Sequence, residues 1–242
     1  MGDTNTAGRA PGPRAAETIA GYLDELAAAM RSTLSQRLDA AVDVLLDARA
    51  RGATVFFCGN GGSASTASHF ACDLGKNTAH PRRGRFRTVA LTDNVAALTA
   101  WGNDHGYDRV FVEQARTLMR AGDVLVAISG SGNSPNVLRA VEYARSLGNR
   151  VIGLIGFAGG RLKDLADVAL IVPGRTIEQA EDGHLILNHA ICTAIRALDA
   201  AADAAADGAV PPAAPAPEAL PARAGGRGPL GAAPTPSSRH RG

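Results

Sequence analysis

Cysteine is scarce and scattered in this 242-residue chain: Cys58, Cys72 and Cys192 stand far apart, odd in number and in apolar contexts. Such a set excludes a disulfide framework and fits reduced thiols in a cytoplasmic protein. A surplus of one charge is also missing. The net charge is +2, so no broad basic excess points to nucleic acid as a partner. No apolar run approaches the ~18 residues of a membrane-spanning helix, and no span is expected. The N-terminus has no basic segment followed by an apolar core, so no secretion signal is expected. What is present is ordinary globular material, 45% hydrophobic and 20% charged. It is long enough for one sizeable core or two small ones.

The two ends differ from the middle. Residues 1–14 are rich in Gly, Pro, Ala and Arg and are expected to be disordered. Residues 206–242 carry Pro211, Pro212, Pro215, Pro217 and Pro221 among Gly and Ala, and read as a disordered tail. One domain is expected between them, over residues 15–205. Its first part repeats apolar residues at helical spacing: Ile19, Leu23, Leu26, Met30, Leu34, Leu38, Val42 and Leu45. One long helix or two in succession would produce this. Short apolar runs then alternate with helical patterns. Strands are expected at 54–57, 88–91, 124–128, 151–155 and 168–172. Helices are expected near 63–74, 108–120, 135–147, 160–166 and 177–202. Strands apolar on both faces imply a parallel sheet covered by helices, with ligands at the strands' carboxyl ends.

Two segments at such ends have the makings of anion sites. Ser129-Gly130-Ser131-Gly132-Asn133-Ser134-Pro135 joins a strand to a helix, as does Cys58-Gly59-Asn60-Gly61-Gly62-Ser63. Free backbone N–H groups and the positive helix end point at such a turn, and serine hydroxyls add donors. Ser134 can be the N-cap with Pro135 as the first helical residue. Either segment alone is also an ordinary capped turn. Two in one α/β domain suggest a phosphorylated ligand.

The order of four motifs resembles the sugar isomerase (SIS) domain, and more narrowly the phosphoheptose isomerases. They are Gly59-Asn60-Gly61-Gly62-Ser63, His69-Phe70-Ala71, Gly102-Asn103-Asp104 and Ser129 to Ser134, followed by a last helix with His184 and His189. The resemblance covers about residues 15–200. It implies a three-layer α/β sandwich around a five-stranded parallel sheet, a homotetramer with sites between subunits, and zinc. It also implies isomerisation of sedoheptulose 7-phosphate to an aldoheptose 7-phosphate. The alternative is a non-catalytic SIS module that binds a sugar phosphate or a protein partner. Retention of His69, an acid at 73 and His189 favours catalysis.

The residues themselves suit that chemistry. Moving a proton between two sugar carbons through an enediol needs a base, an acid and a group that polarises the carbonyl. His69 and Asp73, at i and i+4, share one helix face, and can act on a substrate, bind a metal or be a solvated pair. Glu181 and His189 are eight residues apart, ~12 Å of rise and ~80° of rotation, so both can lean toward one cavity. The resemblance implies Asp73 and His189 as the catalytic pair and His69, Asp73, Glu181 and His189 as metal ligands. Asp73 stands where the family has glutamate, and Glu181 where it has glutamine. Two imidazoles and two carboxylates can bind zinc but also suit manganese or iron. Ser63, Ser129, Ser131 and Ser134, with the backbone of Gly130, are expected to hold the phosphate. Asn60, Gly61, Gly62, Asp73, Asn103, Asp104 and Glu181 are expected at the sugar. Asp93-Asn94 is a weaker candidate for a hydroxyl. Lys76, Arg82, Arg83, Arg85 and Arg87 form a basic segment, read as a surface loop or as phosphate steering. His184 reads as a packed histidine outside the catalytic set.

Overall fold

The computed structural model describes residues 14–34 and 36–208. The expectations for residues 1–13 and 209–242 lie outside these. The helical periodicity at the start resolves into two helices, α1 (Ala15–Thr33) and α2 (Leu38–Arg51). The break has a local cause. The Gln36 amide donates to Ile171 O at 2.7 Å and accepts from Ile171 N at 2.6 Å. The Thr33 hydroxyl adds a bond to the same carbonyl at 3.0 Å. An edge strand leaves such backbone groups unpaired, and here side chains leaving a helix end satisfy them.

That edge strand is β5 (Val168–Val172), last in a parallel sheet with β1 (Thr54–Cys58), β2 (Arg87–Ala90), β3 (Val124–Ser129) and β4 (Arg150–Gly156). The strand order is β2-β1-β3-β4-β5. The chain leaves β1 toward one edge and returns to the other side of β1 at β3. The topological switch point therefore lies between β1 and β3, where open parallel sheets bind ligands. Contrary to the expectation from sequence, the strands are not all buried on both faces. β2 is an edge strand with only Ala90 fully buried.

Two apolar clusters sandwich the sheet. On one face Val55, Phe57, Val126 and Ile128 meet α2, α3 (Gly62–Lys76) and α8 (Ile177–Ala206) through Leu45, Phe70, Leu74, Leu187 and Ile191. On the other, Phe56, Leu125 and Ile155 meet α5 (Val112–Leu118), α6 (Pro135–Ser146) and α7 (Leu162–Leu165) through Ala115, Val137, Val141 and Leu162. This is the expected three-layer sandwich. Burial pushes the Cys58 and Cys192 thiols up to about 12, so both stay protonated at neutral pH. The 30-residue α8 is apolar enough by length and hydropathy to cross a membrane. Its apolar stripe is instead spent on the sheet and on α3, with Leu187, Ile191 and Ile195 buried.

Three helices differ from the sequence reading. The segment 95–105 forms α4 (Val95–His105), which has no fully buried residue and hence no apolar stripe to betray it. The helix expected over 108–120 is a 3-10 turn, Tyr107–Arg109, followed by α5. The helix expected over 160–166 is the single turn α7.

Candidate active site

Both glycine- and serine-rich turns lie at carboxyl ends of adjacent strands, after β1 and β3. In the second, Ser134 is the N-cap of α6 and Pro135 its first residue, yet the Ser134 hydroxyl makes no cap bond. It lies 3.2 Å from the Ser129 hydroxyl. Ser129 Oγ accepts from Gly132 N at 3.1 Å, and Ser131 Oγ accepts from Asn133 N at 3.1 Å. The Ser129 and Ser134 hydroxyls thus adjoin at the open end of α6, with Ser131 in the same turn. The turn is braced from behind by the chain entering α7. Leu162 N donates to Gly132 O at 2.9 Å, and Arg161 N donates to Asn133 Oδ1 at 2.9 Å. Gly132 has φ +64°, and a Cβ there would sit 2.1 Å from Gly159 O, so only glycine fits.

The first turn opens α3, and Ser63 is buried at its start. Its neighbour Gly62 faces a carboxylate: a Cβ at Gly62 would lie 2.2 Å from Glu181 Oε2. Glu181 therefore rests against the positive end of α3, where a helix stabilises an anion. Asn60 is tied across the switch point. Its amide exchanges two hydrogen bonds with Asn136 of α6, at 2.9 and 2.8 Å, and its oxygen accepts from Tyr107 Oη at 3.0 Å. The sequence reading missed Asn136 and Tyr107.

About two turns further along α3, His69 and Asp73 meet His189 of α8. His69 Nε2 lies 3.2 Å and His189 Nε2 3.5 Å from Asp73 Oδ2, and the two imidazole nitrogens are 3.4 Å apart. The three donor atoms lie within 4.8 Å of one another. Asp73 is buried, and both its oxygens are engaged. Asn77 Nδ2 donates to Oδ1 at 2.8 Å, and Asn188 Nδ2 donates to Oδ2 at 3.3 Å. Asn188 is itself oriented by the Cys192 thiol, 3.7 Å from Asn188 Oδ1. Oδ1 is held by Asn77 while Oδ2 faces both histidines.

The other candidates fall elsewhere. Glu181 is not among the three converging donors; the structure sets its carboxylate at Gly62 instead, because it leaves α8 two turns before His189. Asp182 is turned to α1, where it accepts from Tyr22 Oη at 2.5 Å. His184 is fully buried, with neither ring nitrogen in a hydrogen bond of ordinary geometry among the described residues; the Ile155 backbone offsets a part of the cost of burial. Desolvation pushes its pKa down to about 4. Asn103 and Asp104 are exposed at the end of α4, with Asn103 Nδ2 donating to Asp104 Oδ1 at 2.8 Å. The segment there is helical. Asn94 caps α4 by accepting from Ala97 N, and Asp93 accepts from Ser68 of α3. Two members of the basic segment are committed to α8. Arg82 pairs with Asp207 at 3.0 Å and Arg83 with Asp203 at 2.6 Å. Asp199 joins them through a buried two-pronged pair with Arg49, at 2.8 and 2.6 Å.

Glycine- and serine-rich turns at a switch point beside an acid–histidine cluster accompany a match of residues 20–156 to the SIS domain. A phosphoheptose isomerase of Aliarcobacter butzleri is 42% identical over 171 residues, covering 71% of this chain and 90% of the relative. The solved phosphoheptose isomerase of Neisseria gonorrhoeae aligns with a TM-score of 0.69 at 38% identity, covering 75% of this chain and 98% of that one. That of Francisella tularensis has the same TM-score at 31% identity, covering 76% and 99%. The chain belongs to the phosphoheptose isomerase family of SIS domain proteins.

Proposed function

We propose that the chain isomerises sedoheptulose 7-phosphate to a D-glycero-aldoheptose 7-phosphate through an enediol. The observation that carries the reading is the convergence of His69, Asp73 and His189 in a chain whose relatives are phosphoheptose isomerases. From Gly62 to His69 is seven residues of helix, about 10 Å. The phosphate is held beyond the amino end of α3, and the reacting carbons lie against its middle. Ser63, Ser129, Ser131, Ser134 and the backbone of Gly130 take the phosphate. Asn60, Gly61, Gly62, Asn103, Asp104 and Glu181 face the sugar.

Asp73 Oδ2 takes a proton from C1, and the freed electron pair becomes the C1–C2 double bond of the enediol. The former carbonyl oxygen on C2 gains a proton at the same stage. Return of a proton to C2 and loss of the O1 proton then leaves the aldehyde. His189 carries the proton between the two oxygens. Two imidazole nitrogens and one carboxylate oxygen fit a divalent metal with an open position, so His69, Asp73 and His189 would hold zinc. When bound, the ion supplies polarisation of the carbonyl. Glu181 is better placed for the substrate than for the metal.

A homotetramer in the cytoplasm completes the reading. Ile19 and Leu23 of α1 are 59% and 56% exposed, and Ile177 and Ile186 of α8 are 44% and 41% exposed. Such apolar surface favours association with further copies. Incubation with sedoheptulose 7-phosphate, with and without a chelator, followed by NMR of the product, tests the reaction. No aldose signal from metal-replete protein would refute it.

A further inference from the structure

The Asn60, Asn136 and Tyr107 network can be solved atom by atom. A backbone N–H has no choice but to donate, and that of Val137 points at Asn136 Oδ1 from 3.0 Å. The Asn136 amide is thereby fixed, so its nitrogen must donate to Asn60 Oδ1, at 2.8 Å. Asn60 Oδ1 is then the acceptor for the Tyr107 hydroxyl too, at 3.0 Å. An amide oxygen has two lone pairs, and both are used. One of the two Asn60 amide hydrogens goes to Asn136 Oδ1, at 2.9 Å. Among the described residues, Asn60 has one N–H left without an acceptor. Tyr107 has given its proton and keeps an acceptor lone pair. Its side chain is exposed and can be reached. Asn136 is buried and cannot turn over.

We infer that Tyr107 and Asn60 form a subsite that reads one sugar hydroxyl, with Asn136 as the positioning residue. The inference rests on the sugar-phosphate reading above. A hydroxyl accepts from Asn60 Nδ2 and donates to Tyr107 Oη at once. A phosphate oxygen or a carbonyl only accepts, and would face the tyrosine lone pair. The Asn60 side of the first turn therefore takes a hydroxyl, and the phosphate is left to the serines.

The test is calorimetric titration of the full chain with sedoheptulose 7-phosphate and, separately, with inorganic phosphate. Tyr107→Phe should weaken the sugar phosphate about threefold to tenfold, one hydrogen bond's share, and leave inorganic phosphate unchanged. Asn136→Asp keeps the bond from Val137 N but sets an oxygen against Asn60 Oδ1. It should weaken the sugar phosphate as well, and adding Tyr107→Phe to it should cost little more. Equal sugar-phosphate affinity in Tyr107→Phe and the unaltered chain overturns the inference, as does an equal loss for both ligands. If Asn136→Asp does not fold, the Tyr107→Phe comparison decides alone. Turnover is measured on the same samples. An unaltered chain that binds sedoheptulose 7-phosphate, shows the Tyr107→Phe difference and does not isomerise it refutes the proposed reaction but not the subsite. A chain that binds no sugar phosphate refutes both.

Discussion

Replacing Asp73 with Asn keeps the volume of the side chain but removes its charge and its basic oxygen. A positioned general base contributes ~10²–10⁴ in rate. At about 1.36 kcal/mol per factor of ten, this is about 2.7–5.4 kcal/mol of barrier. The neighbours set a second, separable effect. Asn77 donates to one carboxylate oxygen and Asn188 to the other. An amide at 73 has a single oxygen, so one of those donors must face an NH₂ group. A buried donor left unpaired costs about 1–3 kcal/mol. For a domain of this size that lowers the melting temperature by roughly 2–12 °C, at 2–4 °C per kcal/mol. Asp73→Asn should therefore remain folded at 25 °C with turnover down by ~10²–10⁴. KM should change little, because the serine turn between β3 and α6 is untouched. The assay is solvent deuterium exchange at the substrate carbon beside the carbonyl, which reads proton removal without the later steps. A folded Asp73→Asn protein that exchanges deuterium at the rate of the unaltered chain refutes Asp73 as the base. Glu181 would then be the next carboxylate to test.

Other outcomes follow from the same geometry. Replacing Ser129 and Ser131 together with Ala should weaken inorganic phosphate binding, at about 1.5–3 kcal/mol for each hydroxyl bond to a charged oxygen; unchanged affinity in a titration would place the phosphate elsewhere. Asp199→Ala leaves Arg49 buried without its carboxylate and should cost about 3–5 kcal/mol in urea unfolding. A loss under about 1 kcal/mol would show the pair to be solvated, as exposed pairs are. His184 binds a proton in the folded chain only near pH 4, whereas the unfolded chain binds one near 6.5. Between these values the unfolded state holds the extra proton, so stability should fall as pH falls, by about 1.4 kcal/mol per unit. Urea midpoints at pH 4.5 and 6.5 should therefore differ less in His184→Leu than in the unaltered chain; equal differences would refute the assignment.

What could be read from the sequence was local. The strands, the two turns and the i, i+4 pair of His69 and Asp73 each write their signal within a dozen residues. Partners from distant segments left no such mark. Asn136 looked like one more helical residue, because its mate Asn60 lies 76 positions away. Asn188 and Tyr107 were silent for the same reason. Arg82 and Arg83 read as a surface loop until α8 brought Asp203 and Asp207 beside them. Glu181 was legible as an acid in the right helix, but helical spacing constrains its direction only loosely. Its place against Gly62 depends on how α8 crosses α3. The helix α4 escaped because it buries too little to carry a period.

The acidic residues Asp199 and Asp203 of α8 and its C-cap Asp207 recur every four positions and are each gripped by an arginine from outside the helix. Ten residues earlier the same rod carries His189. Such a helix works as a ruler with one end bolted down. Deleting one residue between His189 and Asp199 would move the imidazole ~1.5 Å along the axis and swing it by about 100°. That would part it from Asp73 unless the buried Arg49–Asp199 pair and two more exposed pairings were given up. Length changes in this chain therefore have an address: α8 between the histidine and its last aspartate should reject them, however conservative the residue removed.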